Sequence, residues 1–402
     1  MKEPPKTFFG LHPNVFLLGV TSLLTDISSE MIFTLLPLFL ANVLGAGATI
    51  VGLVGGLSDS IDAGFRIVSG WLSDKLNRRK LPTVLGYSLS TLAKPFMYLA
   101  TNWGIVLSIR VSDRIGKGIR SAPRDALIAD SIPKNKRGRG FGLHRAMDTT
   151  GALIGLIIAA IIIYTVQGGG LKLGLETYRW LIIIGIIPAV LAVAVLLIFI
   201  REKAKADSPA EGTKTPQSTR AIGLDGKFKL FLLVVGIFTL GNSSDFFIIL
   251  RAQNLEAPLI QVTLMLVLFN ATYALTSFPM GVLSDRLGRR RVIAVGWFIY
   301  AAVYLGFALA SNLWQIWLLF AGYGIYYGVV EGVARAFVAD LVREEKRGTA
   351  YGIYHGLVSL TLLPASLIAG WLWDAVNPSA PFYLGAALAF VAMLGIVTLV
   401  KE

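Results

Sequence analysis

Apolar stretches recur along the whole chain, separated by short polar connections. Runs such as Gly151 to Tyr164, Trp180 to Ile200, Val292 to Ala310 and Pro381 to Val400 approach the ~20 residues that cross a bilayer as a helix. The pattern predicts segments at 15–40, 50–74, 81–100, 104–130, 141–164 and 178–200, then at 229–250, 259–283, 292–310, 314–342, 349–373 and 381–400. Twelve segments put both termini on one side. Between them the stretch from Glu202 to Lys227, with Pro209 and Pro216, is too polar to insert and has no apolar period, so it reads as a linker. The expected fold is an all-α polytopic membrane protein, with a six-helix bundle over 1–200, a linker over 201–228 and a second bundle over 229–402.

Composition agrees, since 55% of the 402 residues are hydrophobic and 15% charged, against about a quarter charged in soluble domains. The formal charge of +13 suggests nucleic acid until its placement is read. Lys75 and Arg78 to Lys80, Lys134 to Arg139, Arg286 to Arg291 and Arg343 to Arg347 all fall on even-numbered connections, and more basic residues fall on the linker and termini. Odd-numbered connections carry only Lys172, Arg179 and Arg251. Short Lys/Arg-rich loops stay cytoplasmic, so both termini and the linker are expected inside the cell membrane, and no nucleic-acid partner is implied. Lys2, Lys6 and three prolines precede the first apolar segment without a cleavage pattern, as a cytoplasmic tail does and a signal peptide does not. The absence of cysteine excludes disulfides, thiolate metal sites and thiol nucleophiles.

The two halves repeat. Phe16-Leu-Leu and Ser28-Ser29-Glu30 match Phe231-Leu-Leu and Ser243-Ser244-Asp245; Gly70 to Lys80 matches Gly281 to Arg291; Ile128-Ala-Asp130 with Arg137-Gly138 and Gly142 matches Val338-Ala-Asp340 with Arg347-Gly348 and Gly352. Landmarks in one order at nearly one offset indicate duplication. The run Gly-x-x-x-Asp-(Arg/Lys)-x-Gly-Arg-(Arg/Lys) between helices two and three resembles the signature loop of the major facilitator superfamily; the second copy is complete and the first has Asn77 for Gly. Arg114 and Gly118 are similar to that family's helix-four pattern. Gly142, Gly151 and Gly155 keep the glycine spacing of its antiporters, with Leu156 where those have Pro. The resemblance implies two pseudo-symmetric bundles with helices three, six, nine and twelve outermost. Asp74 with Arg78 and Arg79, and Asp285 with Arg289 and Arg290, are then candidate gating groups: a carboxylate there can cap a helix N-terminus and pair with the turn's arginines.

Eighteen further charges fall within spans: Arg66, Lys94, Arg110, Arg114, Lys117, Arg120, Arg124, Arg145 and Arg335 against Asp26, Glu30, Asp59, Asp62, Asp113, Asp125, Asp148, Asp245 and Glu331. At ~2.5 to 3.5 kcal/mol each on insertion scales they cannot face lipid. On helix four, Arg110, Asp113, Arg114, Lys117, Arg120 and Arg124 share one face. Arg66, Arg114, Lys117, Arg120, Glu331 and Arg335 are the candidate substrate-binding residues; Asp26, Glu30, Asp62 and Asp245 are the candidate proton carriers. Burial disfavours a charged carboxylate and a neighbouring Arg or Lys favours it, so site occupancy can toggle protonation. The competing reading is a structural salt-bridge network, and Glu331 with Arg335 can pair locally at i and i+4.

Gly116-Lys117-Gly118 lacks the spacing of a phosphate loop, and His12, His144 and His355 lack metal-ligand spacing. Neither an enzyme nor a cofactor or metal is expected. The sequence points to a monomeric secondary transporter in the cell (inner) membrane, with small molecules and protons as its partners. Alternating access would drive proton-coupled export (antiport, efflux) of a small amphiphilic or anionic compound. Proton-coupled or exchange-driven uptake of an organic anion, and a lipid flippase, are the alternatives.

Overall fold

In a computed structural model of the chain, residues 12–76, 79–131, 137–168, 170–200, 226–342 and 347–400 are described, and all regular structure among them is helical. The first six helices are α1 (Pro13–Phe33, continued by Leu36–Leu38 and a π turn at Phe39–Val43), α2 (Ala48–Leu76), α3 (Lys80–Ala93, tightening to 3-10 over Lys94–Leu99), α4 (Trp103–Asp130), α5 (Arg137–Gln167) and α6 (Leu175–Phe199). The next six are α7 (Gly226–Gly241, resuming at Phe246–Asn254), α8 (Leu259–Leu287), α9 (Arg289–Leu309), α10 (Leu313–Asp340), α11 (Arg347–Ala375) and α12 (Ala380–Thr398). The sequence segments fall on these twelve helices.

Nine of the twelve are long and apolar enough to cross a membrane by length and composition. The other three are α2, α3 and α4. Charge dilutes α2 and α4, and Pro95 interrupts α3, where the backbone passes from α to 3-10 at Lys94, because a prolyl ring cannot continue an α-helix ladder. Along α6, Ile183, Ile187, Val190, Leu191 and Ile198 are exposed. An apolar face open to the surroundings in this way suits lipid.

Within each half, α1 packs on α5 and α6, α4 on α2 and α3, α10 on α8 and α9, and α12 on α7 and α9. The halves meet where α2 crosses α11 and α5 crosses α8. Small residues make the first crossing possible. A Cβ on Gly52 would stand 2.3 Å from the Ser366 carbonyl oxygen, and one on Gly370 would stand 2.5 Å from the Thr49 Cα. Asp374 of α11 reaches across to the α2 N-terminus, accepting from the Ala48 and Thr49 amides at 3.0 and 2.8 Å and from the Thr49 hydroxyl at 2.7 Å. A carboxylate there satisfies amides that the helix itself leaves unpaired. Leu259 N–H to the Gly170 carbonyl at 3.3 Å and the Gln253 amide to the Leu171 carbonyl at 3.1 Å close the same end.

The seam does not run the full depth. Beyond Ser60, whose hydroxyl donates to the Ser359 carbonyl at 2.5 Å, a Cβ on Gly64, Gly352 or Gly356 would meet nothing within 4 Å. The bundles are joined at the end bearing the odd-numbered connections and splayed at the end bearing the basic, even-numbered ones.

Candidate functional site

Two helix breaks flank the midplane. After Phe33, α1 turns at Thr34 and Leu35 before Pro37. In α7 the helix stops at Gly241, and Asn242, Ser243 and Ser244 leave it before Phe246. The freed Ser244 amide is met by the Ser366 hydroxyl of α11 at 3.1 Å. Broken helices at membrane depth are tolerated where they line a cavity. A central cavity of about 240 Å3 lies there, lined by Asp26, Ser29, Glu30, Phe33 and Thr34, by Arg110, Asp113, Arg114, Lys117 and Arg120, and by Asp245, Phe246, Ile249, Leu266, Phe269 and Asn270.

Most charged groups in it are spoken for. Arg110 pairs with Asp113 at 3.2 Å and lies 4.3 Å over the Phe33 ring. Arg114 reaches Asp59 of α2 at 3.3 Å. Arg120 donates to Ser90 of α3 at 2.8 Å and stacks over Tyr87 at 4.4 Å. Glu30 accepts from the Thr34 hydroxyl, and Asp245 accepts from Tyr323 at 2.7 Å and Tyr327 at 3.3 Å. Asp26 stands within hydrogen-bonding reach of Asp148, whose other contacts are the Ser22 hydroxyl at 2.6 Å and Arg145 at 3.2 Å. The Lys117 ammonium makes no hydrogen bond or ion pair among the described residues. A desolvated ammonium without a partner is costly, so a cavity-facing one attracts an anion.

The sequence-derived candidates do not all converge. Arg114, Lys117, Arg120, Asp26, Glu30 and Asp245 share the central cavity. Asp62 and Arg66 pair with each other at 3.0 Å on α2 outside its lining. Glu331 and Arg335 pair on α10 and line a separate cavity of about 210 Å3 inside the C-terminal half. Tyr273 of α8 links the two halves beside these cavities. It donates to Glu331 and accepts from Arg145 of α5 at 3.0 Å. At the basic end, Arg79 pairs with Asp130 at 3.0 Å and Arg289 with Asp340 at 2.8 Å, matched contacts that tie each signature turn to the end of the fourth helix of its half. Arg290 donates to the Val400 carbonyl at 2.9 Å. Arg78 and the side chains of Asp74 and Asp285 lie outside the described residues.

Three contributors lie outside the residues that the sequence assigned to the site. Lys94 sits on a helix expected to face lipid, yet it is wholly buried and donates to Ser28 at 2.7 Å and Ser29 at 3.1 Å. Asp148 stands among the in-span charges that cannot face lipid, a few residues before Gly151 and Gly155, and Tyr273 carries no motif. A Cβ on those glycines would come within 2.4 Å of the Leu23 and 2.6 Å of the Ile27 carbonyl oxygens. The α5 glycines thus let α1 approach, which is a packing role independent of transport direction.

Twelve helices in two halves around a charged central cavity closed at one end define a membrane carrier. The family model described as Major Facilitator Superfamily matches residues 18–250 and 230–402. A relative from Methanocaldococcus jannaschii, described as an uncharacterized MFS-type transporter, is 40% identical over 390 residues, covering 96% of this chain and 94% of the relative. The multidrug resistance protein MdtH of Salmonella arizonae is 22% identical over 393 residues, 95% of this chain and 92% of that one. Among solved structures, a mutant of the nucleoside transporter NupG aligns with a TM-score of 0.80 at 12% identity over 96% of this chain and 100% of that chain. A bacterial homolog of the human lysosomal transporter Spinster aligns at 0.71, with 15% identity over 96% and 94%. The chain belongs to the major facilitator superfamily. It is a multi-pass membrane transporter of small molecules, not an enzyme.

Proposed function

We propose that the protein carries a small organic anion across the cell membrane together with a proton, by alternating exposure of the central cavity. The observation that carries this reading is Lys117, the cavity ammonium left without a partner while the neighbouring bases are engaged. The carboxyls of Asp26 and Asp148 are close enough to hydrogen-bond, and two carboxyl groups bond to each other only around a shared proton. An anion on Lys117 weakens that ammonium's pull on Asp26, so anion and proton bind more tightly together than apart. Coupling of that sign is symport. With both termini and the linker cytoplasmic, as the placement of Lys and Arg supports, the splayed end faces the cytoplasm.

The second reading is proton-driven export of an amphiphilic compound. Its support is the likeness to the multidrug resistance protein MdtH and the carboxyls of Asp26, Glu30 and Asp245 in the same cavity, for which a cation and protons would compete.

Proteoliposomes with an internal pH dye separate the two. An inward gradient of organic anion should acidify the lumen, and Asp26→Asn or Asp148→Asn should abolish the acidification while anion exchange survives. Alkalinisation by an inward cation gradient, or proton movement undiminished in both variants, would overturn the symport reading. Orientation is checked on the cysteine-free background, where Ser208→Cys should label only from the cytoplasm and Thr49→Cys only from outside.

A further inference from the structure

The two walls of the central cavity differ in chemistry, and each comes from one half. From the first half, α1 and α4 supply every base and every acid of the lining except Asp245. From the second, α7 and α8 supply Phe246, Ile249, Leu266 and Phe269. The polar residues on that side are tied back. The Asn270 amide nitrogen donates to the Leu266 carbonyl of its own helix at 2.9 Å, and Asp245 accepts from Tyr323 and Tyr327. Phe269 stacks on Tyr323 at 5.5 Å and stands edge-on to Tyr327 at 5.4 Å, so the apolar wall has an aromatic backing. On the charged side the Phe33 ring is already covered by Arg110, which leaves the second half as the apolar surface for a ligand. Covering such surface is favourable in proportion to the area removed from water.

The charged wall sets the ligand's charge. Its arginines are held by Asp113, Asp59 and Ser90, so Lys117 can answer a single negative charge. A second carboxylate on the ligand would meet only acids or hydrocarbon, and an unpaired charge there is costly.

We propose that the transported compound is an amphipathic monoanion, with its carboxylate on Lys117 and a compact apolar body against Phe246, Ile249, Leu266 and Phe269. At about 240 Å3 the cavity is below the ~300 Å3 at which pockets for drug-sized molecules begin, so the body is a single ring or a short alkyl chain. Dicarboxylates, sugar acids and phosphorylated compounds fall outside the class, since each brings charge or hydroxyls to the hydrocarbon wall. The head rests on α4 of one half and the body on α7 and α8 of the other, so the ligand bridges the bundles that alternating access moves. The class rests on the anion reading of the central cavity, and the two fail differently in the following experiment.

Titration calorimetry of the protein in lipid nanodiscs, with empty discs subtracted for partitioning, reads the two ends of the ligand separately when butyrate, hexanoate, octanoate, suberate and octanol are compared. Affinity should rise about fourfold per methylene from butyrate to hexanoate. Octanoate should bind roughly tenfold or more tightly than suberate, which has the same chain length and a carboxylate at both ends. Phe246→Ala and Phe269→Ala should each lower the octanoate-to-butyrate affinity ratio by about threefold or more. Lys117→Gln should weaken all the monocarboxylates about equally and preserve that ratio. Affinity flat along the series, or suberate as tight as octanoate, overturns the apolar body, while loss in Lys117→Gln then keeps the anion site. A rising series matched by octanol and undiminished in Lys117→Gln overturns the anion reading and the class with it. An unchanged ratio in both phenylalanine variants, at the parent's melting temperature, overturns the placement of the body. If either variant fails to fold, the series in the parent decides alone.

Discussion

Replacing Asp374 by Ala should release the end at which the bundles are joined. That carboxylate accepts three hydrogen bonds from the first turn of α2, at 3.0, 2.8 and 2.7 Å, and all three cross between halves. Each net contribution is about 0.5–1.5 kcal/mol. Water recovers part of it when the halves separate, so a total of about 2 kcal/mol is reasonable. The bonds exist only while this end is closed, so their loss shifts the ratio of closed to open molecules by roughly 30-fold. Because the chain contains no cysteine, Leu363→Cys, at the close approach of α11 to Gly56, can serve as a single reporter. Its labelling by an impermeant maleimide added outside should accelerate by about 30-fold in Asp374→Ala, with Asp374→Asn intermediate. A labelling rate unchanged from the parent, alongside a lowered melting temperature, would show that Asp374 only stabilises the assembled bundles and does not set their exchange.

Arg114→Gln should destabilise the protein by leaving Asp59 unpaired, by about 1–3 kcal/mol, and Arg114→Gln with Asp59→Asn should recover melting temperature. Lys117→Gln, with no ion pair to break, should leave the melting temperature near the parent's while lowering affinity for organic anions; calorimetry beside thermal melts checks both. Asp74→Asn and Asp285→Asn should slow transport about tenfold or more at normal membrane abundance, as measured by flux and immunoblot, and loss of folded protein in both would return the signature turns to a structural role.

How far the sequence reaches can be read from particular residues. The twelve segments follow from apolar length alone, and the repeat places Asp130 and Asp340 at matched positions, where they meet Arg79 and Arg289. The charged face of α4 also follows from spacing, since a 3.6-residue period brings Arg110, Arg114, Lys117 and Arg120 to one cavity. Periodicity does not say which charge pairs with which. Arg114 meets Asp59 on α2 although Glu30 on α1 was equally available in sequence, and Arg120 turns to Ser90 and Tyr87. Glu331 and Arg335 read as part of the same site because depth along a helix is legible and azimuth between helices is not; α10 points them into a different cavity. Lys94, a charged residue on a helix expected to be outermost, shows the same limit. A helix can be outermost and still turn one face inward, and the 3-10 segment that starts at Lys94 brings its ammonium to Ser28 and Ser29.

The most direct test of an anion site at Lys117 is a thermal-shift screen of purified protein, at two pH values, against matched panels of organic anions, organic cations and neutral amphiphiles. The stabilising compounds should be concentrated among the organic anions, and Lys117→Gln should lose their effect without lowering its own melting temperature. Stabilisation confined to cations, and retained in Lys117→Gln, would contradict the anion site and turn the central cavity over to its carboxylates.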